Sequence, residues 1–104
     1  MTPEQWQFFA DQGLMRVRYE SDPEPYDDSY IDTWDLTPEE IKEEKRKTWR
    51  IIEAYGVWGL IGEYRVSTDS PWVQAYSVWG CIGRDSPDYE EDARKETYNE
   101  FRRL

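Results

Sequence analysis

The amino-acid sequence predicts an α+β fold, in which about three helices pack on a three-stranded antiparallel sheet in the order α-β-α-β-β-α. Three observations lead there. One helix-start signature occurs three times, one segment alternates with the period of a strand, and a ten-residue near repeat has the spacing of two hairpin arms.

The helix starts are Thr2-Pro3-Glu4-Gln5, Thr37-Pro38-Glu39-Glu40 and Ser86-Pro87-Asp88-Tyr89. In each, a hydroxyl can cap, proline takes the first helical position where its missing N–H costs nothing, and acids follow near the positive end of the dipole. Gln5 and Glu40 complete capping boxes. Helices are therefore expected over about 3–12, 38–55 and 87–103, the first two closed by Gly13 and Gly56. The middle helix gathers Ile41, Thr48, Ile51, Ile52 and Tyr55 on one broad face, which predicts that it docks on the sheet. The last helix stacks Tyr89, Ala93, Thr97, Phe101 and Leu104.

Leu14 to Glu20 alternates apolar and charged residues, the pattern of a half-buried strand. The near repeat runs from Ala54 to Glu63 and again from Ala75 to Arg84, with seven of ten positions identical. With Ser67–Ser70 as the loop and Val66 opposite Pro71, Trp58 faces Trp79. Trp58, Leu60, Gly62, Tyr64, Val66, Val73, Ala75, Ser77, Trp79 and Cys81 then share the core face. Val57, Ile61, Glu63, Arg65, Trp72, Gln74, Tyr76, Val78 and Ile82 share the other, and a one-residue slip exchanges the faces.

A chain of 104 residues fits a single domain, 1–104, with an acidic loop at about 21–36. Hydrophobic residues make up only 38% of it but aromatic residues 16%, so large rings must supply much of the core. The single cysteine, Cys81, excludes an internal disulfide and a multi-cysteine zinc site, and a reducing compartment is expected. Met1-Thr2-Pro3-Glu4-Gln5 shows no basic cluster or apolar run of an export signal, and no stretch suits a membrane span. A cytoplasmic protein without a membrane partner is the expectation.

Net charge is −10, and its placement is informative. Between Glu20 and Glu44 lie eleven acids and one base, Lys42, so the remainder of the chain is balanced at 12 acids and 12 bases. Like charges so close together cost stability. This acidic stretch either solubilises the chain or meets a basic partner.

Catalysis has little to build on. No histidine is present, which removes the commonest general base and every triad that needs one. Cys81 lies in an apolar strand without a basic neighbour to activate it. Gly56, Gly59 and Gly62 lie in a strand pattern rather than a phosphate-binding turn. Asp27, Asp28, Asp32 and Asp35 lack the glycine and terminal glutamate of a calcium loop. Neither an enzyme, a cofactor nor a resident metal is expected. Direct nucleic-acid binding is disfavoured too, since Lys45-Arg46-Lys47 follows Glu43-Glu44 and intrahelical pairs such as Glu43 with Lys47 account for it.

The pattern that remains combines acids with aromatic rings. Candidate partner-binding residues are Glu24, Tyr26, Asp27, Asp28, Tyr30, Asp32, Trp34 and Asp35, followed by Glu39, Glu40, Glu43 and Glu44. Carboxylates would pair with Lys and Arg of a partner while rings supply hot-spot anchors. The structural alternative is that Tyr30, Ile31 and Trp34 fasten the loop to the core. A rival function is a small-ligand binder, such as a nucleotide-signal sponge, with an aromatic pocket near Trp58, Trp72, Tyr76 and Trp79. A third is a small phage structural or assembly protein that self-associates through its sheet face.

From Ser77 to Tyr89, Ser-Val-Trp-Gly-Cys-Ile-Gly-Arg-Asp-Ser-Pro-Asp-Tyr, the sequence resembles short proteins of bacteriophages and other mobile elements, in which a Trp-Gly-x-Ile strand leads through an acidic turn into a terminal helix. The likeness covers about residues 75–104. In size, acidity and lack of histidine the chain is also similar to phage inhibitors of host defence, including anti-CRISPR proteins, some of which act as DNA mimics. What the resemblance implies is an inhibitor in the bacterial host cytoplasm, directed at a basic host protein or nucleoprotein effector complex.

Overall fold

A computed structural model describes residues 1–104. Two of the three helix starts form as capping boxes. Thr2 and Thr37 each accept the N–H of the residue three positions on, and Gln5 and Glu40 reach back to the caps. They open α1 (Pro3–Asp11) and α2 (Pro38–Tyr55). The third start differs: the Ser86 side chain makes no cap bond to α3 (Pro87–Arg102), and its backbone N–H instead donates to the Tyr19 hydroxyl at 3.1 Å.

The strands are β1 (Met15–Ser21), β2 (Val57–Tyr64) and β3 (Val73–Ile82), in sheet order β1-β2-β3 with both pairings antiparallel. Three helices and this sheet give the expected α+β order. A 3₁₀ helix, Ser29–Thr33, adds structure inside the acidic loop.

Both α1 and α3 cover one face of the sheet. Trp6, Met15 and Tyr98 form the buried centre there, with Phe9, Ala10, Val17, Tyr64 and Phe101 packed around them. Gly62 lets α3 approach closely: a Cβ there would lie 2.2 Å from Thr97 Oγ1 and 3.1 Å from the Ala93 carbonyl. Tyr89 and Leu104, expected in the α3 stack, are exposed at 47% and 67%, whereas Tyr98 is buried.

The hairpin register is as expected only near the turn, where Tyr64 pairs with Val73 and Glu63 with Gln74. Two irregularities each add a residue to β3, so Leu60 pairs with Val78 and Trp58 with Cys81 rather than Trp79. Each slip exchanges faces. Tyr76 and Val78 therefore turn toward α3, while Ser77 and Trp79 turn to the uncovered face. The bulge is permitted by Gly80 at φ +79°, and Gly59 offers the Trp79 ring a bare backbone to lie on. The repeated tryptophans consequently serve opposite faces. The repeated Ala-Tyr pairs diverge further, Ala54-Tyr55 ending α2 and Ala75-Tyr76 lying within β3.

Contrary to expectation, α2 does not dock on the sheet. It has no buried residue, its main neighbours are the 3₁₀ helix and β3, and Ile51 and Tyr55 are 47% and 66% exposed. A single residue, Gly56, joins it to β2, too short a link to fold a helix about 27 Å long back over the strands. The helix-bearing face is already occupied by α1 and α3. The molecule is elongated as a result, 54 × 24 × 19 Å.

Candidate functional site

Local turns shape the acidic loop first. Asp22 accepts the N–H of Glu24 at 3.0 Å and Asp27 that of Ser29 at 2.9 Å, two side-chain turns that bend the chain. The Ser29 N–H holds the Asp27 carboxyl below its ordinary range. Ile31, fully buried, fixes the 3₁₀ helix, whose main neighbour is α2.

Polar contacts complete the attachment. Lys45 Nζ lies 2.9 Å from the Asp32 carboxylate and 3.8 Å from that of Asp28, and the hydrogen bond with Asp32 raises the lysine pKa. Trp49 Nε1 donates to Asp28 Oδ2 at 3.0 Å. Four rings then follow edge to face: Trp49 and Tyr26 at 5.8 Å between centroids, Tyr26 and Tyr30 at 6.2 Å, Tyr30 and Trp34 at 5.9 Å. The hydroxyls of Tyr26 and Tyr30 share a hydrogen bond. Burial and that bond push the Tyr26 hydroxyl well above its usual pKa. Tyr30, Trp34 and Trp49 remain 43%, 45% and 39% exposed, so the strip is both a fastening and a surface.

The structure thus brings Tyr26, Asp27, Asp28, Tyr30, Asp32 and Trp34 together on one arm with α2. Lys45 and Trp49 complete that arm and escaped the sequence reading. Their signal was an i,i+4 pair on α2, a tryptophan and a lysine sharing the face of Ile41 and Ile52.

The predicted acids are unequally available. Glu43 pairs with Arg46 at 2.7 Å and Glu44 with Lys47 at 3.5 Å, both i,i+3, in place of the expected Glu43–Lys47 pair. Glu40 is engaged in its cap, and accepting the Thr37 N–H lowers its pKa. Asp35 and Glu39, exposed on either side of the Thr37 cap, are outside all these pairs. Glu24 stands apart from the ring strip, lining an open cavity with Asp22, Pro23 and Trp79. No three carboxylates or thiols of the chain converge on a position for a metal ion.

Elsewhere, burial pushes the Cys81 thiol up, the opposite of an activated nucleophile. The four rings proposed for a small-ligand pocket are divided between faces, Trp58 and Tyr76 on the helix side, Trp79 on the other. Trp72 lies beneath the guanidiniums of Arg16 and Arg65 at 4.1 and 4.2 Å. No helix is long and apolar enough to cross a membrane. Comparisons with known protein families, with curated proteins and with solved structures find no match to this chain.

Proposed function

We propose that this protein is a binding protein whose arm, α2 with the 3₁₀ helix, occupies a basic, nucleic-acid-binding surface of a partner protein and so competes with nucleic acid for it. The observation that carries the reading is the construction of the arm. Lys45 and Trp49 secure the loop internally, while exposed Tyr30, Trp34, Asp27, Asp35 and Glu39 are left outward. Aromatic anchors among carboxylates suit a cationic surface, with rings supplying area and acids supplying steering and register.

The internal ion pairs refine the mimicry. Asp28, Asp32, Glu43 and Glu44 are already matched within the chain and Glu40 is engaged in the Thr37 cap, so the charge presented to a partner comes chiefly from Asp27, Asp35 and Glu39. In the setting that the resemblance to phage proteins implies, the partner is a host defence effector and the outcome is inhibition, as by an anti-CRISPR protein.

Elution from a DNA matrix provides the test. Passed over bacterial lysate proteins held on immobilised DNA, the wild-type chain should release a specific set, and less of it as salt rises. The variant Asp27→Lys/Asp35→Lys/Glu39→Lys should release none of that set. Equal release by wild type and variant would disprove the reading.

A further inference from the structure

We propose that the cavity between the start of the acidic loop and β3 is a receptor for one guanidinium group, supplied by an arginine side chain of the partner. Its volume is about 350 Å³, and Asp22, Pro23, Glu24 and Trp79 line it.

The floor is built for the purpose of holding a ring in place. Three carbons of the Trp79 benzenoid ring lie so close over Gly59 that a Cβ there would come within 2.3–2.7 Å of them. The indole is thereby seated on bare backbone, yet it stays 44% exposed. One wall is fixed as firmly. Asp22 Oδ2 accepts the Gly80 N–H at 3.1 Å, and its Oδ1 accepts the Glu24 N–H at 3.0 Å, so its charge is held beside the ring by β3 itself. Glu24 brings a second, exposed carboxylate, and no lysine or arginine of this chain lines the space.

An indole face flanked by two carboxylates selects for an organic cation. Guanidinium fits better than ammonium, because it is planar, weakly hydrated and stacks on the ring while its N–H fork reaches carboxylate oxygens at the rim. Only the source of the group, an arginine of a protein partner, rests on the basic-partner reading; the receptor itself does not.

The probe is N-acetyl-arginine amide, followed through the tryptophan indole N–H signals by NMR, with Trp79→Phe assigning the Trp79 signal. The expected result is a saturable shift at Trp79, larger than that produced by N-acetyl-lysine amide. Glu24→Gln, at an exposed position that leaves the fold intact, should weaken binding up to about fivefold. Absence of a saturable Trp79 shift, or binding unchanged by Glu24→Gln and equal for the lysine amide, overturns the proposal. Shifts confined to Trp34 and Trp49 would likewise overturn it while leaving the arm reading intact. Conversely, a Trp79 response together with full DNA-matrix activity of the charge-reversed arm would support the receptor and reject the arm.

Discussion

Glu63 carries the most heavily used carboxylate on the uncovered sheet face. Its side chain is 10% exposed, and it accepts from Arg18 Nε at 2.7 Å and Arg16 Nε at 3.0 Å. Burial pushes its pKa up, but the hydrogen bonds and charges of Arg18 and Arg16 together outweigh burial, and the net direction is downward. A carboxyl whose folded pKa lies below its unfolded value stabilises the fold above the unfolded pKa, about 4.3 for Glu, and loses that contribution as pH falls through the folded value. Glu63→Gln should therefore cost about 1 kcal/mol at neutral pH, kept small by the exposure of both arginines, and should remove part of the acid-side slope. Urea melts of both proteins between neutral and acid pH would show the two curves converging below the folded pKa. At the same scale, the acid and aromatic members of the arm were legible by counting, whereas Lys45 and Trp49 were not. Their partners lie in another segment, and only the folded path of the loop makes Asp28 and Asp32 their neighbours.

Helix ends are local events, and for that reason the sequence expectations for α2 coincide with Pro38–Tyr55 and those for α1 and α3 differ only at their last residue. The hairpin register is not local. It depends on Trp79 finding Gly59 and on Gly80 accepting positive φ, which no alternation pattern encodes. The placement of α2 is likewise non-local: the helix meets the 3₁₀ helix, where Ile31 is buried, while Ile51 and Tyr55 of its apolar face stay exposed. Two element-scale consequences follow. Gly62→Ala should cost about 2–3 kcal/mol, since the new methyl meets buried Thr97 and the α3 backbone and must force α3 off the strands; thermal unfolding would report it. Thr37→Ala should cost α2 about 1 kcal/mol, and with so little packing to compensate, faster amide exchange in its first turns is the expected signature.

Across the whole molecule, the sheet with α1 and α3 forms a packed body, and the arm extends it to 54 Å. The arm depends on a few fastenings, of which fully buried Ile31 is central. Ile31→Ala should raise amide exchange over 26–49 while leaving β2 and α3 protected, which separates the stability of the arm from that of the body. Of the overall charge of −10, residues 26–55 carry −4, nine acids against five bases, and the rest of the chain −6; a field of one sign belongs to 26–40 alone, where six acids meet no base. The most direct measurement is differential hydrogen exchange of the chain alone and bound to the proteins it releases from DNA. Slower exchange over residues 26–49, with α1 and α3 unchanged, is predicted; protection confined to α1 and α3 would contradict the assignment of the arm as the binding surface.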